Sequence, residues 1–378
     1  VIQVSVLIIG GLATTILALN IVSDKVGMGT GAIDGFKTLL KDAPDHFHMI
    51  FKKPTPDSPQ IEIDKYLILP GIAMYFVGQW IVNLNYWGCN QYITQRALGA
   101  NLQTARTGIL FAGFIKLMMP IIVMLPGIAA YVLHKNGHLP QLHGGKDGAY
   151  AAVLSFLPNG LKGLSIAALT AAIVASLAGK ANSISTIFTL DIYKKYIGKE
   201  ADEKKLVWTG RVTIIIAMLV AILFTWNDLL GISGEGGFTF IQKYTGFISP
   251  GVFAMFILGM FWKRTTGTAA IAGLITGLVM AVIFNNYAPS WFGHETLLYT
   301  AFPTMEGDRQ VWRIPFLICM GWSFIFTVAV MVALSLAGPR INPKAFMLDK
   351  EMFRLKPATL TLIVIMLMIL VAIYVRFW

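Results

Sequence analysis

A run of amide and aromatic side chains inside an apolar segment carries the clearest chemical signal in the sequence. It reads QWIVNLNYWGCNQ over residues 79–91. On a helix, four of its residues share one face at spacings of three and four: Asn83, Trp87, Asn90 and Gln91. Amides donate and accept hydrogen bonds, which suits hydroxyl groups, and aromatic rings suit the C–H face of a sugar. The run therefore predicts a site for a neutral, hydroxyl-rich ligand, although hydrogen bonding between helices would use the same residue types.

Two other apolar segments contain polar positions. Lys116 lies within one of them. An ammonium group in hydrocarbon is costly, so it must meet a cavity or a partner, or extend to the membrane interface. In a cavity it would donate to ligand hydroxyls, and spacing alone favours neither position. In the other segment, Phe238 and Gln242 share a face at i, i+4, close to Lys243 and Pro250.

A further segment is rich in small residues over 171–180 and continues as NSIST over 182–186. Small residues allow helices to approach closely. Hydroxyl and carbonyl oxygens can also ligate a hard cation such as sodium. From the residues alone, a packing face and a cation site are both open.

The groups that catalysis requires are missing from the apolar segments. The histidines fall in loops or at segment ends: His46, His48, His134, His138, His143 and His294. Cys89 and Cys319 have no metal-ligand spacing. A membrane hydrolase needs a nucleophile–base pair or a metal cluster. The sequence therefore predicts neither an enzyme nor, without an appended domain, a sensor.

The elements that position these residues follow from composition. The chain has 378 residues, of which 56% are hydrophobic and 13% charged, against about 25% charged in soluble domains. Nine apolar segments are long enough to cross a bilayer as helices: residues 1–22, 67–93, 107–134, 158–190, 206–228, 236–262, 266–286, 313–337 and 357–378.

Loop charges predict the orientation of these segments. The loops at 94–106, 191–205, 263–265 and 338–356 carry fourteen Lys and Arg, which marks them as cytoplasmic. The net charge of +11 thus reflects membrane topology and predicts no nucleic-acid partner. The long loop 23–66 lies outside despite its six Lys, and residues 30–51 are predicted to form an amphipathic helix on the outer surface.

Three stretches resemble the sodium:solute symporter family, and within it the bacterial sodium/galactose and sodium/glucose symporters. They are GQWIVNLNYWGCNQYITQRALGA (78–100), NSISTIFTLDIYKKY (182–196) and FIQKYTGFISPGVFAMFILGMFWKRTT (240–266). The resemblance runs over residues 1–378. It implies an all-α integral membrane protein with the leucine-transporter-type inverted-repeat fold, in which ten of fourteen helices form two repeats around a midplane site.

The resemblance also implies that the nine segments are the last nine helices. The N-terminal five helices would then be absent from this chain, and a start at Val1 inside an apolar segment fits that expectation. Residues 1–378 would form a single transmembrane domain.

The resemblance assigns roles to individual residues. It implies a sugar site formed by Asn83, Tyr86, Trp87, Lys116 and Gln242. Tyr86 would stack on the sugar as an inner gate, and Phe238 would close the outer side. The Ala172 carbonyl and the Ser176 hydroxyl would ligate sodium, with the Ala175 backbone as a further candidate.

The chain departs from the family pattern at the implied sodium site. Ala175-Ser176 stands where the family has two serines, and Lys180 stands where relatives carry an apolar residue. Lys180 leans toward Ser176 because helical side chains point toward the N-terminus. Sodium coupling would be weakened, or replaced by proton coupling or uncoupled transport. Alternatively, Lys180 pairs with a carboxylate or extends toward the cytoplasm, and sodium binds more weakly.

The expected function is sodium-coupled uptake of a neutral, galactose- or glucose-like sugar. The same fold could carry an inositol, an amino acid or a carboxylate. The expected partners are a small-molecule sugar and the lipid bilayer, with no obligatory protein partner. The expected location is the bacterial inner membrane.

Overall fold

The structure, a computed structural model, describes residues 2–27, 29–139, 148–226, 236–306 and 309–378. Over these residues it is mostly helical. The helices are α1 (Ile2–Lys25), α2 (Ala32–Asp42), α3 (Gln60–Ile68), α4 (Ala73–Val77), α5 (Gln79–Leu84), α6 (Gln91–Leu98), α7 (Leu102–Lys135), α8 (Ala149–Ser155), α9 (Asn159–Thr186), α10 (Glu203–Thr225), α11 (Gly237–Phe261), α12 (Gly267–Val282), α13 (Ala288–Phe292), α14 (Phe316–Leu336) and α15 (Pro357–Phe377). Helices with π geometry cover Asn85–Cys89, Ile187–Ile197 and Ile283–Tyr287, and 3₁₀ turns cover Pro44–Phe47 and Lys350–Phe353.

Eight helical stretches of the described chain are long and apolar enough to cross a membrane. Each overlaps one predicted segment. The remaining segment, 67–93, is a broken helix, and counting the bent pair Gln60–Val77 and Gln79–Cys89 as one span gives nine. The chain is therefore a multi-pass membrane protein, while the count of nine crossings stays a prediction.

Contacts between residues divide the chain into two compact units. The first unit contains Val1–Phe47 and Gln95–Gly237, and the second contains His48–Thr94 and Phe238–Trp378. A single domain over residues 1–378 stays a prediction.

In the first unit, α1 packs against α2, α7 and α9. Polar contacts reinforce this packing, because the Thr14 and Ser165 hydroxyls lie 3.0 Å apart and both residues are buried. The Thr15 hydroxyl donates to the Ile121 carbonyl at 3.0 Å. Such hydrogen bonds help to hold helices together in a membrane, because the hydrophobic effect does not drive helix association in lipid.

The predicted surface helix at 30–51 is shorter than expected and is partly buried. It corresponds to α2, which ends at Asp42 ahead of Pro44, because proline disfavours helix in the residue before it. Leu39 is fully buried in a cluster with Val22 and Leu133. The apolar face of α2 therefore packs on protein. The prediction of one helix over 30–51 was wrong, and its place on the outer surface stays a prediction.

In the second unit, α14 packs against α12, α4 and α5. Glycines allow close contacts here. A Cβ on Gly321 would collide with the Val77 side chain, and one on Gly277 would lie 2.7 Å from the Thr327 hydroxyl. The rings of Trp80, Phe253 and Phe324 then join α5, α11 and α14, with centroids 5.3–5.7 Å apart.

Among the described residues, one pair of β-strands lies between α13 and α14 and departs from the all-α expectation. Strand β1 (Phe302–Glu306) pairs antiparallel with β2 (Arg309–Arg313). Phe302 is buried against Tyr66 of α3, with ring centroids 5.4 Å apart. The hairpin therefore packs on the entry of the broken span.

The glycine contact between α14 and α4 can be tested by adding one methyl group. Gly321→Ala should lower the free energy of unfolding by about 1–3 kcal/mol, because the methyl group overpacks against Val77. Gly259→Ala on α11 is the control, since open space surrounds that position, and it should raise stability by about 0.5–1 kcal/mol. Apparent unfolding midpoints in detergent would be compared. Equal stabilisation by both substitutions would contradict the close contact.

Candidate functional site

The broken span combines four interruptions within about thirty residues. After α3 come Pro70 and Gly71, the latter in the left-handed region at φ 52°. The chain then bends by 77° at Gly78, between α4 and α5. A π-helical turn follows at Asn85–Cys89, and Asn90 is extended before α6 begins. Interrupted backbone inside a span is tolerated where protein or a polar cavity satisfies it.

Each interruption has a local physical cause. Proline at position 70 removes a backbone donor. A Cβ on Gly71 would come within 2.5 Å of the Phe51 carbonyl oxygen, and one on Gly78 would collide with the Leu317 carbonyl. The Asn90 side chain accepts a hydrogen bond from the Tyr92 amide at 3.1 Å, so it starts α6.

The predicted single face of Asn83, Trp87, Asn90 and Gln91 was therefore wrong. These residues belong to α5, to the π-helical turn, to an extended residue and to α6. The π geometry changes the angle between successive side chains, and the extended residue ends the helix. Spacings of three and four no longer mean a shared face.

Asn83 lies near the end of α5 and is half-buried. Its side-chain amide donates to the Gln79 carbonyl one turn earlier at 2.8 Å. Tyr86 and Trp87 follow on the π-helical turn, with rings edge-to-face at 5.8 Å. Tyr86 is 40% exposed. The structure thus brings the predicted gate and a predicted wall residue into contact.

Asn85 belongs to the same turn and had no predicted role. Its side-chain amide donates to the Ser249 hydroxyl of α11 at 3.1 Å. Its carbonyl oxygen is buried and has no hydrogen-bond partner among the described residues. An unpaired buried oxygen is costly. This hydrogen bond joins the π-helical turn to α11, and it leaves one acceptor available inside the span.

Gln242 and Phe238 both lie on α11, one turn apart. Gln242 is half-buried, whereas Phe238 is 77% exposed. Their shared helix face agrees with the spacing in the sequence. Roles for Gln242 in sugar binding and for Phe238 as an outer gate stay predictions.

Lys116 lies in the middle of α7, in the first unit, and is exposed. Asn83, Tyr86, Trp87 and Gln242 lie in the second unit. A single sugar site formed from both units therefore stays a prediction. The place of the Lys116 ammonium group, in a cavity or at the membrane interface, also stays a prediction.

The implied sodium ligands lie on α9, in the first unit. The helix is uninterrupted from Asn159 to Thr186. Ala172 and Ala175 are half-buried, and Ser176 and Lys180 are exposed. Positions 172, 176 and 180 follow one helix face at one-turn intervals. A carbonyl and a hydroxyl oxygen on one face fit part of a hard-cation ligand set, with an ammonium group one turn away.

The described residues contain no group of three or more His, Cys, Asp or Glu that could hold a metal ion. His143 and the loop 229–235 lie outside the described residues. The implied sodium ligands are a backbone carbonyl and a serine hydroxyl, which are not among these residue types, so this finding does not test the implied sodium site.

Comparisons with known proteins agree on one family. The sequence model of the sodium:solute symporter family matches residues 1–277. A sodium/glucose cotransporter of Vibrio parahaemolyticus is 41% identical over 317 residues, 81% of this chain and 56% of that protein. The human sodium/myo-inositol cotransporter 2 is 36% identical over 255 residues, 63% of this chain and 35% of that protein. The chain thus spans about half or less of the length of these relatives.

A solved structure shares the fold. A Na⁺-coupled sialic acid symporter, in a substrate-bound outward-open state, matches with a TM-score of 0.63 over 90% of this chain and 62% of that one. Sequence identity is 18%. At this identity the likeness shows the fold alone.

The link from the π-helical turn to α11 predicts unequal effects of two serine substitutions. Ser249→Ala should lower the free energy of unfolding by about 1–2 kcal/mol, because the Asn85 amide loses its partner beside an already unpaired oxygen. Ser323→Ala is the matched control. Ser323 is equally buried, but its hydroxyl bonds the Cys319 carbonyl of its own helix at 2.8 Å, so about 0.5 kcal/mol or less is expected. Unfolding in detergent measures both, and equal losses would contradict the account.

Proposed function

The chain belongs to the sodium:solute symporter family and has its leucine-transporter-type inverted-repeat fold, and on this premise we propose that the protein carries a neutral sugar across a membrane together with sodium. The single observation that best supports this is the broken span. It places an amide, Asn83, two residues before a π-helical turn that carries Tyr86 and Trp87. Family membership supports transport and not catalysis.

The chemistry of the broken span favours a sugar or another polyol as substrate. Residues 79–91 contain no Asp, Glu, Lys or Arg. A carboxylate substrate would require an arginine or a helix N-terminus. The names of the relatives, glucose and myo-inositol cotransporters, point to hydroxyl-rich solutes. Galactose or glucose is our first candidate, and an inositol is the second.

Asn83, Lys116 and Gln242 are the residues we propose for hydrogen bonds to the sugar, since their donors and acceptors suit hydroxyl groups. Tyr86 and Trp87 would cover the apolar face of the ring. Tyr86 would be the inner gate and Phe238 the outer one. Alternating access would follow from rearrangement of one repeat against the other around a fixed midplane site.

Sodium would bind at the Ala172 carbonyl and the Ser176 hydroxyl, with the Ala175 backbone as a further candidate. Moving one charge across 100 mV supplies about 2.3 kcal/mol, which supports roughly fifty-fold accumulation of a neutral solute. Lys180 lies one turn from Ser176. We expect it to weaken sodium binding without abolishing coupling, and proton-coupled or uncoupled transport is the alternative.

The bacterial relative supports a location in the inner membrane. The bilayer would be the partner that the fold requires, and we propose no obligatory protein partner and no nucleic acid.

Uptake into proteoliposomes tests the function. The full-length protein would be supplied with labelled galactose, glucose or myo-inositol, with and without an inward sodium gradient. Sodium-stimulated accumulation of one of the hexoses is expected. Accumulation of myo-inositol alone would mean that the substrate is an inositol and not a hexose, while the assignment of the fold would stand. Equal sugar uptake with and without the sodium gradient would overturn the proposal of sodium symport.

Asn83 can be tested with a closely matched control. Asn83→Ala should lower kcat/KM for sugar uptake about tenfold or more, since the ligand hydroxyls lose a partner. Asn285 lies within the π-helical turn Ile283–Tyr287, is half-buried and donates to the Ala281 carbonyl one turn earlier at 2.8 Å. Asn285→Ala should stay within about twofold. Equal losses would mean that Asn83 has a structural role only.

Lys180 can be tested through the dependence of uptake on sodium. Lys180→Met should lower the sodium concentration for half-maximal uptake by about three- to tenfold, because an ammonium group near the cation is removed. Lys162→Met, eighteen residues before Lys180 on α9, is the control and should leave the sodium concentration for half-maximal uptake unchanged. No difference between the two variants would contradict a role for Lys180 near the ion.

A further inference from the structure

A crevice in the first unit opens between the end of α9 and the start of α10. Its volume is about 330 Å³, and its lining is mostly apolar. The residues that matter here are Ser185, Thr189, Leu190, Leu206, Gly210 and Arg211. None of them belongs to the sugar or sodium sites proposed above.

The crevice contains an unpaired buried hydroxyl. Thr189 is 6% exposed, and its hydroxyl oxygen has no hydrogen-bond partner among the described residues. Thr189 lies in the π-helical stretch Ile187–Ile197, and long π stretches are rare and often mark functional sites. A buried hydroxyl without a partner is unfavourable unless a ligand or water satisfies it.

Gly210 keeps the crevice open. A Cβ at this position would lie 2.6 Å from the Ser185 hydroxyl and 3.5 Å from that of Thr189. A larger residue would therefore occupy the space beside both hydroxyls. The two hydroxyls can donate to oxygen atoms of a ligand.

Arg211 lines the same crevice and is exposed. It lies about 12 Å along α10 from Glu203, at 1.5 Å per residue. Among the described residues, no hydrogen-bond or ion-pair partner of Arg211 is found. A guanidinium group this far along a membrane helix needs an anion or access to the interface.

The surroundings of the crevice indicate the level of the membrane interface. Trp208 is 65% exposed and Tyr196 is 67% exposed, and such aromatic residues concentrate at the headgroup level. Residues 191–211 carry six Lys or Arg against four Asp or Glu. The local excess of positive charge favours an anionic headgroup.

We propose that this crevice binds one anionic phospholipid. Its phosphate would lie against the Arg211 guanidinium, which matches phosphate geometry through two parallel hydrogen bonds. Its glycerol and ester oxygens would accept from the Thr189 and Ser185 hydroxyls. One acyl chain would follow the apolar wall formed by Leu190, Leu206 and Val207. A soluble phosphate ion would not use this apolar lining.

Native mass spectrometry tests the proposal. The full-length protein in neutral detergent would be incubated with dioleoylphosphatidylglycerol or dioleoylphosphatidylcholine, with and without excess inorganic phosphate. Retention of one phosphatidylglycerol per chain, at least about tenfold above phosphatidylcholine and insensitive to phosphate, is expected. Equal retention of both lipids, or displacement by phosphate, would overturn the proposal.

Three variants locate the binding. Arg211→Gln should remove the preference for phosphatidylglycerol, whereas Arg340→Gln, an exposed arginine in the second unit, should not. Val207→Trp should reduce retention of phosphatidylglycerol, because the indole would occupy the space proposed for the acyl chain. Val207 is 56% exposed, so the fold should tolerate this change. If the three variants behave alike, or if the crevice retains no lipid because another part of the protein covers it, the proposal fails.

Discussion

Satisfying the backbone inside a bilayer is the constraint on which this structure depends. Hydrocarbon offers no hydrogen bonds, so a span must be helical wherever it faces lipid. Eight stretches of the described chain obey this rule as long helices. In the broken span, the run of helical backbone hydrogen bonds is interrupted at Pro70, at Gly78 and at Asn90. Such interruptions survive only where neighbouring protein satisfies or shields the freed groups, and the close approach of Gly78 to the Leu317 carbonyl is one such contact.

The same interruptions place polar chemistry where a continuous helix would not. A π-helical turn holds Tyr86 and Trp87 in edge-to-face contact, and the Asn85–Ser249 hydrogen bond fixes that turn to α11. The cost of the unpaired Asn85 oxygen is one that a purely structural span would avoid. The crevice at Thr189 repeats the pattern, because there too a π-helical stretch leaves a buried oxygen unpaired.

Much of this architecture could be predicted from the sequence, because apolar length alone marks a membrane helix. The helical segments and the family followed from long apolar blocks and from specific strings around Asn83 and Gln242. The single face at 83–91 failed because spacing rules assume α geometry throughout, and no residue type specifies a π turn. The packing of α2 on protein was not predicted, because an amphipathic pattern does not distinguish a lipid surface from a protein one. The hairpin was missed although Gly-Asp at 307–308 is a recognised two-residue turn signal. Asn85 was present in the recognised run, but only the structure gives it a partner.

Coupling between sodium and sugar is the central claim, and equilibrium binding tests it most directly. Galactose affinity of the full-length protein would be measured by calorimetry in sodium and in choline at equal ionic strength. If both ligands favour one state, sodium must tighten galactose binding, by about fivefold or more for a typical coupling free energy, and galactose must tighten sodium binding by the same factor. Identical galactose affinities in the two salts would contradict the account, whatever the transport rate.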